Sequence, residues 1–284
     1  MRKLPHVAAH RDAAGGTTTY WYRNPATSVQ CSVWLTPSPE PGQQAEAPQF
    51  RNLQATPLGF TLDYVRPSFF AAEAMPIVVQ IAEELGLLIY DGQREDSKGR
   101  KPRRYSAAEL VQSWEQSNGP EARAVRAHTQ RYVSYCPRER LDYYWEYMRH
   151  RDALKGTYAE QGVAVPEIAL LWPKKGGSTI LACTWANLAR TVLPEVDYVL
   201  VQREVRRLGG LMRREEEGLV GLGDAREWLG EYLQPKQEPV PHLLYQEQEA
   251  PPELAEAFLA MPLLELEAGC EQTEPDRVVD VPPG

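Results

Sequence analysis

The sequence predicts an α+β fold that has a mixed or antiparallel sheet with a central group of packed helices. Strand-like patterns occur over residues 17–23, 28–35 and 59–65, most of the segments with helical periodicity lie between 68 and 149, and strand-like runs return between 163 and 202. With 43% hydrophobic and 25% charged residues, the chain has enough apolar surface for a buried core. We predict a disordered leader over residues 1–16, a single α+β domain over 17–232, and an acidic, Pro/Glu-rich C-terminal segment over 233–284.

The first predicted elements form a hairpin. Residues 17–23 are rich in β-branched and aromatic side chains, and residues 28–35 alternate between apolar and polar positions. The Asn-Pro-Ala-Thr stretch between them, which begins at Asn24, is typical of a turn. Residues 36–57 are polar and Pro/Gln-rich, which predicts a long exposed loop, and residues 59–65 predict a third strand.

Two proline-interrupted helical segments come next. A helix is expected to begin at Ser68 and to be divided at Pro76, since an interior proline removes a backbone hydrogen bond. Gly86 is a suitable stop for it, and residues 87–90 then predict a short buried strand. Residues 106–109 match a capping box, so a second helix is expected to begin there and to end at the Asn-Gly-Pro of residues 118–120, with another helix over 121–129.

A third helix is predicted after Pro137, which suits a first helical turn. Its apolar residues recur with the spacing of one helix face, which predicts that Trp145 anchors the core together with Leu141, Tyr144 and Met148. The remaining predicted elements are a strand hairpin over 163–172 and 179–185, a strand over 196–202, and helices over 224–232 and 253–259.

The charge of the chain is concentrated near its C-terminal end. The formal net charge is −8, yet residues 237–284 hold eleven acidic residues and one basic residue, so the remainder is nearly neutral. Such a segment disfavours nucleic acid and suits a basic protein partner. The candidate partner-binding residues are Glu247, Glu249, Glu253 and Glu256. The alternative is a solvated tail that keeps the protein soluble.

The sequence contains none of the spacings that usually carry catalysis, cofactors or metal ions. Its histidines and cysteines stand apart, and no phosphate-binding loop or nucleophile elbow is present. We therefore predict no catalytic residue, no cofactor, no metal and no enzymatic activity. No secretory signal or membrane-spanning run occurs, which predicts a cytoplasmic protein with reduced thiols and no membrane partner.

One acidic set leaves a different function open. Glu195, Asp197 and Glu204 bracket an apolar strand, as the acids of some metal-dependent nucleases do. However, residues 202–204 (Gln-Arg-Glu) lack the lysine that such sites generally need. The simpler interpretation places Asp197 in a turn at the entry to the strand. The basic loop over residues 94–104 is the best candidate for contacts with nucleic acid, but only one aromatic residue is available for stacking, so we interpret it as a solvated loop.

Three blocks of this sequence together resemble bacterial immunity proteins, the partners of toxins exchanged between neighbouring cells. The resemblance covers roughly residues 17–205, and its blocks are 20–29 (YWYRNPATSV), 62–93 with the entry YVRPSFF at 64–70, and 193–201 (LPEVDYVLV).

The resemblance implies a non-enzymatic cytoplasmic protein that binds and neutralises a cognate toxin. Many such toxins are basic nucleases, so a basic nuclease is one expected partner, and complementary charge would speed its association. Two other classes remain open: another interaction or scaffold protein, and an unrecognised hydrolase or nuclease. The sequence also leaves a homodimer open.

Overall fold

The structure is a computed structural model that describes residues 5–11, 16–36, 52–92, 101–128, 133–173, 177–207, 212–264 and 270–282. The chain divides into two compact units, Met1–Ala124 and Val125–Gly284. The predicted single domain of residues 17–232 contributes residues to both units, and the prediction that it is one domain stays a prediction. The α+β class with antiparallel and mixed sheets is confirmed.

The first unit is built on a four-stranded antiparallel sheet in the order β1-β2-β3-β4. Its strands are β1 (Val7–Arg11), β2 (Thr18–Arg23), β3 (Gln30–Leu35) and β4 (Leu58–Thr61). The predicted hairpin is confirmed as β2 and β3. Strand β1 lies inside the leader that we predicted to be disordered. The prediction of disorder is wrong for residues 7–11, because their backbone pairs with β2. Residues 37–51 of the predicted loop lie outside the described residues.

Helix α1 (Ser68–Glu84) runs straight through the predicted break at Pro76. The predicted break is wrong. Pro76 has no N–H to donate to a carbonyl in the preceding turn, but it is exposed, so solvent can bind that carbonyl instead. The predicted stop is confirmed, since Gly86 follows the helix with a φ of +65°. The predicted buried strand at 87–90 is wrong: only Ile89 forms a bridge there, with Arg103, and Leu88 is 43% exposed.

Helix α2 (Ala107–His128) begins at the predicted capping box. The backbone N–H of Ser106 donates to Glu109 Oε2 at 2.8 Å, and the N–H of Glu109 donates to Ser106 Oγ at 3.3 Å. The predicted end at residues 118–120 is wrong. Asn118 is buried and its side chain bonds to backbone groups outside the helix, so it does not compete with the helical hydrogen bonds.

In the part of the second unit that the structure describes, the strands form three sheets. A five-stranded mixed sheet has the order β10-β9-β7-β6-β13, a three-stranded antiparallel sheet has the order β11-β12-β8, and two short strands pair in parallel as β14-β5. Their bounds are β5 (Ser134–Tyr135), β6 (Ala169–Pro173), β7 (Ile180–Ala186), β8 (Thr191–Pro194), β9 (Tyr198–Arg207), β10 (Met212–Gly221), β11 (Leu233–Lys236), β12 (His242–Tyr245), β13 (Cys270–Thr273) and β14 (Val278–Val279).

The helices of this unit are α3 (Arg138–Tyr158), α4 (Leu222–Leu229) and α5 (Pro252–Ala260). Three members of the predicted α3 stripe are buried, but Trp145 is only half-buried, and Arg149 lies over its ring at 4.5 Å. The aromatic anchor is instead Tyr147, which is fully buried and donates to the carbonyl of Pro166 at 3.0 Å. Across the described residues, no helix combines the length and apolar character needed to cross a membrane.

The cysteines are free thiols, as predicted for a chain with reduced cysteines. Cys31, Cys136 and Cys183 are buried, whereas Cys270 is partly exposed. Burial raises the pKa of Cys183 to about 12, so its thiolate, the reactive form, is scarce at neutral pH. The buried cysteines are therefore core residues.

Candidate functional site

Asp197 occupies the turn between β8 and β9, as the simpler interpretation of the sequence expected. Its Oδ2 accepts the backbone N–H of Leu181 at 2.7 Å, and its Oδ1 accepts Nη2 of Arg140 at 2.7 Å. The carboxylate therefore ties α3 to two strands. A carboxylate with both oxygens engaged in this way acts as a structural link.

The structure does not assemble the candidate nuclease site of Asp197 and Glu204. Seven residues of extended chain separate them, which corresponds to roughly 23 Å. Side chains alternate along a strand, and Val199, Val201 and Arg203 share the buried face of β9, so Glu204 lies on the opposite face, where it is exposed. The two carboxylates cannot hold one metal ion, and the nuclease interpretation loses its geometric basis.

Among the residues that the structure describes, no other cluster of metal-ligating side chains replaces it. Within the described ranges, no group of three or more His, Cys, Asp or Glu residues could hold a metal ion. His242, which the sequence did not single out, is 2% exposed, with Nδ1 2.7 Å from the carbonyl of Val240 and Nε2 3.1 Å from the hydroxyl of Tyr158. Both ring nitrogens are occupied inside the protein, which is the pattern of a core histidine.

A shallow depression of about 370 Å³ lies beside this histidine. Glu195 and Arg226 stand at it and pair with each other at 3.2 Å. Lys236 contributes a further cation. Because the Glu195 carboxylate already neutralises Arg226, the single charge of Lys236 is what remains in the lining of the depression to select a ligand.

Two blocks of the immunity resemblance meet at Glu73 on α1. Three side chains of the hairpin donate to the same oxygen, Oε1: Tyr22 at 2.7 Å, Asn24 at 2.8 Å and Thr27 at 3.1 Å. Burial and the neighbouring Glu73 raise the pKa of Tyr22, so this phenol stays protonated and serves as a donor. The polar residues of these blocks thus fix the hairpin on the helix. This is a structural role.

The candidate partner-binding residues lie on ordered chain. Glu253 and Glu256 are exposed on α5, three residues apart and therefore on one side of the helix. Leu254 and Phe258 form its buried side. Glu249 is exposed just before the helix, and Glu247 is half-buried.

Arg203 fixes α5 to the five-stranded sheet. Its guanidinium donates to the carbonyl of Phe258 at 2.5 Å and to that of Met261 at 3.1 Å, which are the carbonyls at the C-terminal end of the helix. The ring of Phe258 packs against Trp185 of β7 with centroids 5.4 Å apart. The predicted helix at 253–259 is confirmed, but the alternative of a mobile tail is wrong here, because buried contacts hold the helix in place.

Sequence reasoning missed a second exposed feature, the outer face of the first unit's sheet. Trp21 and Trp34 are each 38% exposed there, while Tyr22, Cys31 and Val33 fill the opposite, buried face. The alternation of the two strands could have indicated that both tryptophans point away from the core.

Comparison of the chain with protein-family models, curated proteins and solved structures finds no match. The resemblance to immunity proteins therefore stays a prediction, and its residues near Glu73 and Asp197 have structural roles.

Proposed function

We propose that this chain is a non-enzymatic cytoplasmic protein that binds and neutralises a basic protein toxin. The proposal is supported by the immunity resemblance and, above all, by the acidic helix α5, which Arg203 and Phe258 hold in a fixed position. A fixed helix pays little ordering entropy when it binds a partner. Its exposed carboxylates would attract a basic surface before contact.

The distribution of charge between the two units supports the second unit as the one that binds a basic toxin. Residues 1–124 contain 13 basic and 13 acidic residues, so the whole net charge of −8 resides in the second unit. Attraction of a basic toxin would therefore be directed at the unit that carries α5.

The first experiment tests binding against turnover. The natural probe is the toxin domain of a secreted protein encoded beside this gene, purified and titrated with the full chain. We expect inhibition to be complete at one copy of the chain per toxin. Protection at a far lower ratio would indicate an enzyme, and absence of any complex would overturn the proposed function.

The second experiment tests the acidic helix without deleting it. Removal of residues 237–284 would also remove β12, the central strand of its sheet, so the triple variant Glu249→Gln, Glu253→Gln, Glu256→Gln is preferable. We expect its association rate to fall at least about tenfold at low salt and the loss to shrink at high salt.

A matched control replaces three exposed glutamates elsewhere in the same unit by glutamine: Glu160, Glu227 and Glu231. Both triple variants change the net charge equally. Equal rates for the two would show that only overall charge matters and that α5 is not the contact.

A further inference from the structure

The outer face of the sheet β1-β2-β3-β4 is a second candidate binding surface, and it is independent of the proposed function. The register places ten residues on this face: Ala8, His10, Thr19, Trp21, Arg23, Gln30, Ser32, Trp34, Gly59 and Thr61. None of these residues carries a carboxylate. The face is therefore aromatic at its centre, polar around it and weakly cationic.

Trp34 is seated flat on this face. It stands opposite Gly59 of β4, and a Cβ at that position would lie 1.9 Å from Cζ2 of the indole, so only glycine leaves room for the ring. The Nε1–H of Trp34 donates to Thr61 Oγ1 at 3.3 Å, which fixes the ring orientation. Cross-strand covering of a glycine by an aromatic ring stabilises a sheet, yet 38% of this side chain remains exposed.

Trp21 is the diagonal neighbour of Trp34. It stands opposite Ser32, two residues before Trp34 on β3, and such diagonal positions are about 7–8 Å apart. Arg23 lies over its ring at 5.5 Å. Its Nε1–H has no acceptor among the residues that the structure describes, which leaves an exposed donor beside an exposed ring.

The size of the face excludes a standard protein–protein interface. The four strands, of four to six residues each, span roughly 330 Å², whereas a stable interface buries about 800 Å² on each partner. A single extended chain segment fits this area better than a folded surface does.

The charge of the face selects among extended ligands. A single-stranded nucleic acid would stack on the two indoles, but it also requires several cations along its backbone. Among the described side chains of this face, Arg23 is the charged one. A nearly uncharged ligand with stacking rings and free carbonyls is the better match.

We propose that this face binds an extended, proline-rich peptide segment. Polyproline II chains have no internal hydrogen bonds, so their carbonyls are free to accept from Trp21 Nε1–H, and their proline rings can pack on the indoles. Their rise of about 3.1 Å per residue places prolines two or three positions apart at about 6–9 Å, which matches the diagonal spacing of the two tryptophans.

The test uses the full chain labelled with ¹⁵N at its seven tryptophans. Each indole signal is assigned by a Trp→Phe substitution, and blocked decaproline is titrated in. We expect the signals of Trp21 and Trp34 to shift together and to saturate. A Gly-Ser decapeptide should leave both unmoved. Unmoved signals with decaproline, or equal shifts with both peptides, would overturn the proposal.

Substitutions then locate the contact. Trp34→Ala and Trp21→Ala should each weaken decaproline binding at least about tenfold. Trp21→Ala is the second variant because Trp34 also supports the sheet. Trp228→Ala is the matched control, since Trp228 is also 38% exposed but lies on α4. Equal loss in all three variants would contradict the assignment. Stronger, salt-sensitive shifts with a deoxythymidine decamer would identify nucleic acid as the ligand and overturn the peptide proposal.

Discussion

Arg203 and Glu216 stand directly opposite each other on β9 and β10, and Nε and Nη2 of the arginine both donate to Oε2 of the glutamate, at 3.3 and 3.1 Å. The arginine side chain is 8% exposed and that of the glutamate 22%. Because the third nitrogen of the guanidinium binds the end of α5, one residue couples the sheet to the helix that carries the candidate contact.

Replacement of this arginine should loosen α5 and destabilise the second unit. Arg203→Met removes two hydrogen bonds from Glu216 and one donor from each of two helix-end carbonyls. Loss of one partner of a buried ion pair costs about 3 kcal/mol or more. Urea unfolding measures the loss, and amide exchange should speed up first in α5. Arg226→Met, which breaks an exposed pair, should change stability by less than about 1 kcal/mol. Similar losses in the two variants would contradict the assigned role.

Asn118→Ala should destabilise the first unit by about 1–3 kcal/mol. The Asn118 side chain accepts from the N–H of Val65 at 2.7 Å and donates to the carbonyl of Arg66 at 2.9 Å. Val65 has a φ of +62°, a strained conformation for a β-branched residue, so its backbone needs this support. Thermal unfolding measures the effect. The exposed Gln112→Ala on the same helix is the control, and an equal shift for both variants would contradict this explanation.

The capping box should make the stability of the fold depend on pH in the acidic range. The backbone N–H of Ser106, and then Arg103 and the Ser106 hydroxyl, lower the pKa of Glu109 from 4.5 to about 2. A group whose folded pKa lies below its unfolded pKa stabilises the fold above the unfolded value. This contribution is therefore complete above pH 4.5 and is lost as the pH falls toward 2.

Thermal unfolding of wild type and Glu109→Gln over this pH range checks the prediction. The difference in Tm between them should be largest above pH 5 and should shrink toward pH 2. The exposed Glu160→Gln should show no such trend. A difference that stays constant with pH would show that the carboxylate charge contributes nothing.

Tyr147→Ala should destabilise the protein more than Trp145→Ala, although tryptophan is the larger and more hydrophobic residue. Tyr147→Ala removes a fully buried ring and leaves the Pro166 carbonyl unpaired, so a cost of about 3–5 kcal/mol is expected. Trp145→Ala removes a half-buried ring that stacks with Arg149, and should cost clearly less. Chemical denaturation of the two variants decides the order, and a larger loss for Trp145 would restore it as the core anchor.

Local patterns in the sequence predicted most of the elements. The hairpin of β2 and β3, the capping box and helix α5 each depend on neighbouring residues, so their signals are readable without the fold. The errors at Pro76 and Asn118 share one physical cause. Tertiary surroundings decide whether a helix-breaking residue costs anything, and the sequence does not show that Pro76 faces solvent or that Asn118 reaches Val65.

The candidate sites were less predictable than the elements. The glutamates of α5 stood out by charge, but the buried Arg203 that fixes the helix is 55 residues away from Phe258. The pairing of Trp21 and Trp34 on one face depends on the register of two strands and on a glycine in a third. Long-range contacts of this kind leave no local signature.

The parallel pair of β5 and β14 has a consequence for synthesis on the ribosome. Ser134 and Arg277, which meet beside this pair, are 143 positions apart, and Val278 and Val279 are fully buried. Tyr135 of β5 also forms a bridge with Ser178, so one side of this strand can pair early. Its pairing with β14 has to wait until nearly the whole second unit has been translated. The first unit can mature while translation continues, whereas the second should remain open to chaperones, and exposed to proteases, until β14 emerges.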